Sequence, residues 1–349
     1  MKFGVRKFDL LEPDRTIVIA EIGVNHNGSP DLAEKLVLAA VDADVDIVKF
    51  QAFISEKEIS QYAEKAEYQK ETTSEDGSQL EMCKALEMGG PALKRMLQLC
   101  NELEVGFLCA AFDFESVDLL TEDMKVTSIK IASSEVTNIP FLEYVGSKRV
   151  EVVLSTGAST LSEVGKAVET LHKSGCPGLM LLHCVSCYPA PCEQVNLRSM
   201  ITLKDAFGLP VGFSDHTLGH HVAIAAAALG ASAIEKHFTL DRTMHGPDHR
   251  SSVEPAEMKQ MVAGVRTAGM ALGSPVKRPA SCEMSNLALI RKSIVAATDL
   301  KKGIRLTRDM LELKRPLGGI EPVELPHILG LTLRRDVGKD MHIRWDDLR

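Results

Sequence analysis

Residues 150–184, VEVVLSTGASTLSEVGKAVETLHKSGCPGLMLLHC, contain a strand, a helix and a second strand in succession. The apolar runs Val150–Thr156 and Gly178–Cys184 have the length and the Val/Leu content of buried strands. Between them, Thr160 and Glu163 stand at the spacing of a helix-capping box, and apolar residues follow at helical intervals. This succession predicts a parallel pair of strands, the building unit of α/β folds.

The same alternation extends over most of the chain. Six more apolar runs have the pattern of strands: Ile17–Gly23, Ile47–Ala52, Gly106–Ala111, Ser128–Ser133, Val211–His216 and Ala233–Leu240. Helical patterns such as Pro91–Leu103 separate most of them, and Met258–Leu272 predicts a helix that closes the series. Eight strands alternating with helices predict an α/β fold of the closed TIM (β/α)8 barrel type. An open doubly wound sheet is the alternative.

The sequence pattern divides the chain into three parts. Residues 1–272 carry the barrel pattern, residues 273–290 have the composition of a linker, and residues 291–349 form a small C-terminal module. Within the module, residues 299–311 and 336–348 repeat one another at an offset of 37 positions, which predicts a β-rich, pseudo-symmetric fold. The module has 13 Lys/Arg and 9 Asp/Glu, a net charge of +4, whereas the rest of the chain has a net charge of −12. Opposite charges of this kind indicate two bodies that pack on each other.

One connection, residues 53–90, is far longer than an ordinary loop between a strand and a helix. It is polar and charged over most of its length. A long excursion after a barrel strand is typical of a lid over the active-site mouth or of a disordered flap. We refer to this segment as the lid.

The composition excludes several classes of protein. Apolar residues make up 45% of the chain and charged residues 25%, values typical of a globular enzyme. The net charge of −8 argues against a nucleic-acid-binding protein. Neither a membrane-spanning run nor a secretory signal is visible, so we expect a cytoplasmic protein that does not act at a membrane. The eight cysteines are then expected to be free thiols rather than disulfides or a metal site.

Polar side chains stand at the carboxyl ends of most predicted strands, the end at which TIM barrels carry their active sites. Lys49 and Lys130 lie within apolar strands, where an unpaired ammonium group is costly. The two lysines predict either one phosphate or carboxylate bound between them, or ion pairs with Glu21 or Glu135. The spacing alone does not decide between these interpretations.

His216 and His237 end two neighbouring strands. Two imidazoles that converge at one end of a barrel suit a divalent metal with open positions for substrate, whereas a lone histidine more often bonds a backbone carbonyl or a phosphate. Asp248 and His249 follow the last strand and add polar groups to the same rim. These residues predict a metal-assisted enzyme for anionic and polyhydroxylated substrates, without selecting a reaction.

Seven motifs occur along the chain in a fixed order. They are EIGVNHNGS (21–29), VKFQA (48–52), KIASSE (130–135), LSTGAS (154–159), HCVSCYP (183–189), GFSDHTLG (212–219), and EKHFTLD with GPDHRSS (235–252). Together they resemble the sialic acid (N-acetylneuraminate) synthase family, and Lys314-Arg315-Pro316 resembles the antifreeze-like (SAF) domain of that family. The resemblance covers nearly the whole chain. The GPDH segment (246–249) is similar to sialic and legionaminic acid synthases rather than to pseudaminic acid synthases.

The resemblance implies a reaction in which phosphoenolpyruvate condenses with the open-chain aldehyde of N-acetylmannosamine, an N-acetylated hexosamine. The products are N-acetylneuraminate, a nine-carbon 2-keto acid, and phosphate. Alternatives within the family are legionaminic or pseudaminic acid synthases and enzymes that use the sugar 6-phosphate. The resemblance further implies Mn²⁺, or else Mg²⁺ or Co²⁺, on His216 and His237 as a Lewis acid. Metal-dependent pyruvate aldolases and non-catalytic sugar-binding proteins are the rival classes.

The resemblance also implies roles for single residues. Glu21, His216 and His237 are implied as catalytic. The phosphoenolpyruvate contacts map onto Lys49, Lys130, Ser133, Ser155, Ser186 and Ser214, and the sugar contacts onto Gln51, Glu135, Tyr188 and Asp248. The family further implies a domain-swapped homodimer in which Arg315 of one chain reaches the sugar bound by its partner.

The chain departs from the family pattern at two positions. Ala110 stands where the family often has a Thr or Ser that holds the substrate phosphate, and Ser186 stands where some members have Asn. The first departure removes a hydroxyl donor, so anion binding is expected to be weaker or to be completed by water. Neither departure changes the histidines or the lysines, and we expect an active enzyme.

Overall fold

A computed structural model of the chain describes residues 1–10, 15–73 and 77–349. The chain divides into two compact units, Met1–Gly273 and Ser274–Arg349. Residues 274–290, predicted as a linker, fall in the second unit. Over the described ranges, no helix combines the length and the apolar character that crossing a bilayer would require.

The first unit is a closed eight-stranded barrel preceded by a short hairpin. The hairpin strands are β1 (Lys2–Phe3) and β2 (Arg6–Lys7), and the barrel strands are β3 (Ile17–Gly23), β4 (Ile47–Ala52), β5 (Gly106–Ala111), β6 (Ser128–Ile131), β7 (Glu151–Ser155), β8 (Leu179–Cys184), β9 (Val211–Asp215) and β10 (Ala233–His237). Each barrel strand runs parallel to its neighbours, and β10 pairs with both β9 and β3, which closes the sheet. The predicted TIM barrel is confirmed, and the open doubly wound alternative is wrong.

Two strands end two or three residues earlier than their apolar runs predict, and β7 and β9 end one residue earlier. The run to Ser133 leaves the sheet after Ile131, and Ser133–Thr137 forms a 3₁₀ turn. The run to Leu240 leaves the sheet after His237. Apolar content indicates that a segment is buried. It does not indicate where hydrogen bonding to the neighbouring strand stops, so the pattern could not predict where these strands end.

Helices surround the barrel and also form the lid. They are α1 (Pro30–Asp42), the lid helices α2 (Ser55–Glu58), α3 (Glu67–Thr73) and α4 (Gln79–Leu86), and then α5 (Gly90–Glu102), α6 (Phe114–Asp118), α7 (Ile139–Ser147), α8 (Leu161–Ser174), α9 (Ser199–Phe207), α10 (His221–Ala228) and α11 (Pro255–Leu272). The capping box before α8 is present. Thr160 Oγ1 accepts a hydrogen bond from Glu163 N at 3.3 Å, and Glu163 Oε2 accepts one from Thr160 N at 2.7 Å.

The barrel interior changes from apolar to polar along the strands. Successive strand residues face opposite sides of the barrel wall, so every second residue points inward. Near the strand starts these inward residues are apolar and pack with Phe3 and Phe8 of the hairpin: Ile17, Ile19, Ile47, Leu108, Val153, Met180, Leu182 and Ala233. Two or more positions later they are polar, as in Glu21, Lys49 and Glu235. The polar residues therefore collect at the carboxyl end of the barrel.

The second unit has its own core and a visible internal symmetry. Its elements are α12 (Met284–Ile290), β11 (Ser293–Ala296), β12 (Leu311–Lys314) and α13 (Leu325–Ile328), and β11 pairs with β12 in antiparallel fashion. Asp299 Oδ1 accepts from Lys339 N at 2.8 Å, and Asp336 Oδ1 accepts from Lys302 N at 2.8 Å. Asp299 and Asp336 are 37 positions apart, so the two halves of the sequence repeat cap each other reciprocally.

Candidate active site

A cavity of about 330 Å³ opens at the carboxyl end of the barrel strands. Its wall contains twelve of the fourteen residues that the sequence singled out: Glu21, Lys49, Gln51, Lys130, Ser133, Ser155, Ser186, Tyr188, Ser214, His216, His237 and Asp248. They come from seven of the eight strands or from the loops that follow them. The barrel thus brings together residues that are more than 200 positions apart in the sequence.

The floor of the cavity is a cluster of two lysines and two carboxylates. Glu235 Oε1 accepts from Lys49 Nζ at 2.9 Å and from Lys130 Nζ at 3.1 Å. Glu21 Oε1 lies 3.3 Å from Lys49 Nζ and accepts from Gln51 Nε2 at 2.8 Å. All four charged side chains are buried. The lysines are therefore paired with carboxylates in the substrate-free chain, and they also face the cavity in which an anion would bind.

Glu235 is a charged residue of the cavity that the sequence patterns did not single out. It stands two positions before His237, so it shares the inward face of β10 with that histidine. Burying an unpaired charge is costly for a carboxylate as it is for a lysine such as Lys49. A carboxylate within an apolar strand is therefore equally informative. The signal was present in the sequence, and Glu235 rather than Glu135 is the second carboxylate beside the lysines.

The pKa values of the two carboxyl groups in the cluster are shifted in opposite directions. Burial raises the pKa of Glu21 to about 7, against the lowering effect of Lys49. Burial also acts to raise the pKa of Glu235, but Lys130 and Lys49 outweigh it and hold this pKa well below its usual range. Glu21 Oε2 is buried and has no hydrogen-bond partner among the described residues. Glu21 is thus able to exchange a proton near neutral pH, and Glu235 stays ionised.

The two histidines lie side by side in the cavity wall, with ring centroids 5.6 Å apart. His216 Nδ1 lies 2.7 Å from the carbonyl oxygen of Val185, so this nitrogen donates and Nε2 keeps its lone pair. His237 Nδ1 is buried without a hydrogen-bond partner in the described part of the chain and lies 3.6 Å from Asp248 Oδ2. Burial lowers the pKa of His216 to about 4 and that of His237 well below its usual value. Both imidazoles are therefore neutral at pH 7, as metal ligands must be.

Hydroxyl groups form a compact patch near Lys130. Ser133 Oγ accepts from Gly157 N at 2.9 Å and lies 3.2 Å from Cys184 Sγ. A Cβ atom on Gly157 would stand 2.4 Å from Ser186 Oγ, so this position requires glycine. The inward position Ala110 lies in the wall of the same cavity and offers no hydroxyl group. The patch offers several short donors for an anion, with one fewer than the family pattern implies.

Aromatic and polar groups face the histidines on the remaining sides. The ring of Tyr188 packs against His216, with centroids 4.2 Å apart, and meets His237 edge-on at 5.7 Å. Burial raises the pKa of Asp248 to about 6. This side of the cavity combines a flat apolar ring with hydrogen-bonding groups, which is the chemistry that sugar binding requires.

Two predicted site residues lie elsewhere. The Glu135 carboxylate, in the turn after β6, accepts from Ser134 Oγ at 2.9 Å and from Asn138 Nδ2 at 2.7 Å, and it is not part of the cavity wall. Arg315 belongs to the second unit and is exposed. The roles of both residues in sugar binding stay predictions.

The lid supplies the outer wall of the cavity. Its contributing residues are Phe53, Glu58, Ile59, Gln69, Gln79, Met82, Cys83 and Leu86. Two hydrogen bonds from backbone N–H groups hold the start of the lid. Ile54 N donates to Asp113 Oδ2 at 2.8 Å, and Ser55 N donates at 2.7 Å to Glu87 Oε1, near the end of the lid. The described part of the lid contains the three short helices α2, α3 and α4 joined by non-helical segments, and residues 74–76 lie outside the described residues.

The fold and the site define a class of protein: a TIM-barrel enzyme whose mouth gathers lysines, serines and two neutral histidines in one cavity. The chain belongs to the NeuB family, whose model matches residues 36–277, and the SAF domain model matches residues 291–349. It is accordingly a phosphoenolpyruvate-dependent condensing enzyme, a NeuB-type nonulosonic acid synthase. The family resemblance drawn from the seven motifs is confirmed.

Known proteins resemble the chain over most of its length. The N,N'-diacetyllegionaminic acid synthase of Campylobacter jejuni is 44% identical, over 95% of this chain and 99% of that protein. The N,N'-diacetyllegionaminic acid synthase of Legionella pneumophila is 42% identical, over 95% and 94%. Among solved structures, the N-acetylneuraminic acid (sialic acid) synthetase of Leptospira borgpetersenii in complex with citrate has a TM-score of 0.70 at 32% identity, over 78% of this chain and 90% of that one.

Proposed function

We propose that the chain condenses phosphoenolpyruvate with the open-chain aldehyde of a six-carbon sugar bearing two acetamido groups, forming N,N'-diacetyllegionaminic acid and phosphate. The observation that carries the reaction is the presence of paired lysines, serines and two neutral histidines in one cavity. The choice of product rests on 44% and 42% identity to two legionaminic acid synthases, against 32% to a sialic acid synthetase. N-acetylneuraminate, the product first expected from the resemblance, is therefore the second candidate.

In the proposed reaction the enol carbon of phosphoenolpyruvate attacks the aldehyde carbon. Water then adds to the resulting oxocarbenium carbon, and phosphate leaves by cleavage of the C–O bond. Six sugar carbons and three from phosphoenolpyruvate give the nine-carbon acid. A rival pyruvate aldolase would form the same type of carbon–carbon bond but would release no phosphate.

Lys49 and Lys130 bind the anionic groups of phosphoenolpyruvate in this proposal. Glu235 already holds both ammonium groups at the cavity floor, so their ordering does not have to occur on substrate binding. Four serines of the cavity wall supply short donors to the same substrate in this proposal: Ser133, Ser155, Ser186 and Ser214. Glu21, with one buried oxygen unpartnered among the described residues, is placed to hold or to accept a proton at Oε2 as water adds.

His216 and His237 hold a divalent metal ion in this proposal, Mn²⁺ first and Mg²⁺ or Co²⁺ as alternatives. The residues fit such an ion, since both imidazoles are neutral and His237 Nδ1 is a buried nitrogen with no partner among the described residues. Two imidazoles would leave positions open for water and sugar. In the described ranges, no group of three or more His, Cys, Asp or Glu has the arrangement of a metal site. A bound metal would supply Lewis-acid polarisation of the aldehyde oxygen.

The sugar is bound by Gln51, Tyr188 and Asp248 in this proposal, with the lid opposite them. Met82, Leu86 and Phe53 give the lid an apolar inner surface, which suits the methyl groups of acetamido substituents. We further propose a homodimer in which Arg315 of one chain reaches the sugar of its partner. Arg315 is exposed, and no ion pair joins it to the described residues, whereas the adjacent Lys314 pairs with Glu312 and Asp340.

A substrate panel tests this function. The protein is incubated with phosphoenolpyruvate, Mn²⁺ and one sugar at a time: N-acetylmannosamine, its 6-phosphate, or diacetamido hexoses. Phosphate release is measured together with the mass of the product. We expect the highest kcat/KM with a diacetamido sugar. Preference for N-acetylmannosamine or its 6-phosphate would transfer the assignment to sialic acid, and turnover of pyruvate without phosphate release would overturn the proposed reaction.

Chelation tests the metal. Treatment with a chelator should abolish turnover and added Mn²⁺ should restore it, because Lewis-acid catalysis is typically worth several kcal/mol of transition-state stabilisation. His216→Ala and His237→Ala should remain folded, as judged by circular dichroism, and should be inactive. Full turnover of a chelator-treated protein in which elemental analysis finds no metal would contradict the assignment.

A further inference from the structure

Asp215 and Lys236 form an ion pair that has no part in the chemistry described above. They are directly opposed residues on the neighbouring strands β9 and β10. Lys236 Nζ lies 2.8 Å from Asp215 Oδ2, and both side chains are 0% exposed. Strand residues alternate between the two faces of the barrel wall, so this pair lies on the face opposite to His216 and His237, the residues that directly follow them.

The pair reaches the backbone on both sides of His216. Lys236 Nζ donates a second hydrogen bond, to the carbonyl oxygen of Thr217 at 2.5 Å. The other oxygen of Asp215, Oδ1, accepts from Thr217 N at 2.9 Å and from Thr217 Oγ1 at 2.8 Å. The residues before and after His216 are therefore both tied to the residue before His237.

We propose that Asp215 and Lys236 are positioning residues that set the separation of the two metal-binding imidazoles. The inference rests on the proposed metal site at His216 and His237. The ion pair fixes the backbone of His216 relative to that of His237 from behind the cavity wall, while the Val185 carbonyl fixes the ring of His216 from the side. Groups that orient metal ligands in this way change metal affinity without touching the metal.

The energetics favour a positioning role over simple stabilisation. Removing two charges from water is expensive, and an apolar pair of similar volume often stabilises a protein as well or better. In some proteins, buried ionic groups fix a geometry that apolar contacts would leave loose. Here it fixes the relative position of two strand ends, each of which carries one imidazole.

The other end of the barrel provides a matched control. Arg266 Nη2 lies 2.6 Å from Asp46 Oδ2, and Arg266 Nη1 donates to the carbonyl oxygen of Thr16 at 2.6 Å. Asp46 Oδ2 also accepts from Val18 N at 2.8 Å. This pair has the same kinds of bonds as Asp215 and Lys236, but it lies beside the strand starts, remote from both histidines.

The test measures the binding of Mn²⁺ alone to metal-free, full-length protein by isothermal titration calorimetry, together with the Tm of each protein. The double variant Asp215→Leu/Lys236→Met is compared with Asp46→Leu/Arg266→Met, with wild type and with His237→Ala. We expect the Asp215/Lys236 variant to bind Mn²⁺ about tenfold more weakly than wild type, or weaker still, and the Asp46/Arg266 variant to stay within about twofold. Asp215→Asn, which preserves the shape of the side chain, should weaken binding in the same direction and serves if the double variant does not fold.

Unchanged Mn²⁺ affinity in folded Asp215→Asn and in the double variant would overturn the positioning role. Equal weakening in the control variant would overturn it as well, because the effect would then follow from general loosening of the barrel. If the wild-type protein binds no Mn²⁺, or if His237→Ala binds it as tightly as wild type, the proposal of a metal site is wrong. The positioning inference, which rests on that site, is then wrong as well.

Discussion

At the scale of single residues, the site depends on how four buried charges balance one another. Glu235 neutralises part of the charge of Lys49 and Lys130, and Glu21 exchanges a proton near pH 7. When Glu21 is protonated and both lysines are charged, the cluster of these four buried side chains has a net charge of +1. A positive site of low polarity attracts and holds an anion more strongly than exposed lysines would.

The first prediction concerns the two lysines. Lys49→Met and Lys130→Met should each raise the KM for phosphoenolpyruvate about tenfold or more and leave the KM for the sugar nearly unchanged. Each variant removes a charge-assisted hydrogen bond, typically worth about 1.5–3 kcal/mol. Steady-state kinetics with one substrate varied at a time gives both constants.

A surface lysine supplies the control for this experiment. Lys148 pairs with Asp118 and Glu122, outside the cavity wall, and Lys148→Met should leave both constants unchanged. If the KM for phosphoenolpyruvate stays at its wild-type value in both active-site variants, the lysines serve only as ion-pair partners of Glu21 and Glu235.

The second prediction concerns pH. Burial lowers the pKa of His26 to about 4, whereas an unfolded chain binds the proton near pH 6.5. The neutral imidazole therefore contributes stability that is fully present above pH 6.5 and is lost as the pH falls toward 4. His26→Asn keeps an acceptor for the hydrogen bond from Gly28 N, which lies 3.0 Å from His26 Nδ1. It should reduce the acid dependence of the free energy of unfolding by up to about 1.4 kcal/mol per pH unit.

Urea unfolding at several pH values between 7.5 and 4.5 measures this dependence. The exposed His172, on α8, provides the control, and His172→Gln should follow the wild-type curve. A His26→Asn variant whose stability falls with pH as steeply as that of wild type would contradict the prediction.

Most site residues were predictable because two simple rules agree. Strand residues alternate between faces, and TIM barrels place chemistry at the carboxyl ends of their strands, so a polar residue near a strand end is a candidate. Glu235 satisfies both rules and was overlooked beside His237. Glu135 follows a predicted strand in the sequence, but in the structure β6 already ends at Ile131. The turn after β6 directs the Glu135 carboxylate to Ser134 and Asn138.

At the scale of elements, strands were more predictable than the lid. Strands that are buried on both faces have apolar side chains at successive positions near the core. Such strands are therefore visible in the sequence as continuous apolar runs. The lid helices α2, α3 and α4 have four, seven and eight residues, too short to be stable by local propensity. The start of α2 is held by Asp113 and Glu87, which lie outside the lid helices, so a local pattern could not reveal this helix.

The third prediction concerns the internal symmetry of the second unit. Asp299→Ala and Asp336→Ala should each lower the Tm of this unit by a few degrees, because each removes one of two equivalent bonds to the backbone, at Lys339 N and Lys302 N. Asp336 also pairs with Lys301 at 2.8 Å, so its replacement should have the larger effect by a small margin.

Differential scanning calorimetry measures both variants, with the exposed Asp346→Ala as the control. Loss of stability in only one of the two aspartate variants would mean that the sequence repeat is not energetically symmetric. A similar loss in Asp346→Ala would mean that the effect reflects removal of negative charge rather than loss of a specific hydrogen bond.

At the scale of the whole molecule, the residues that line the cavity and Arg315 lie in different units of the chain. Residues 291–349 have a net charge of +4 and the remainder a net charge of −12, and opposite net charges assist association in general. Charge does not specify whether a module acts at the barrel of its own chain or at that of another. In the proposed homodimer, the module acts at the barrel of the partner chain. A subunit-mixing experiment distinguishes this arrangement from one within a single chain.

The fourth prediction is that chains with Arg315→Ala and chains with His237→Ala complement each other. Each variant alone should have little activity. After subunit exchange, a mixed dimer contains one site that joins an intact barrel to an intact module, if sites are shared between chains. Random exchange makes half of the dimers mixed, with one working site of two, so activity should recover to about a quarter of wild type. Phosphate release before and after exchange measures the recovery, and differently tagged chains verify that exchange occurred.

A mixture of His216→Ala and His237→Ala chains is the matched control, because both residues lie in the same barrel and no mixed site would contain both. This mixture should stay inactive whatever the exchange. Recovery in the Arg315→Ala mixture and none in the control would place Arg315 at the partner's site, where its guanidinium can bond several acceptors on one face of the sugar. Without recovery despite verified exchange, Arg315 acts within its own chain or has no part in catalysis.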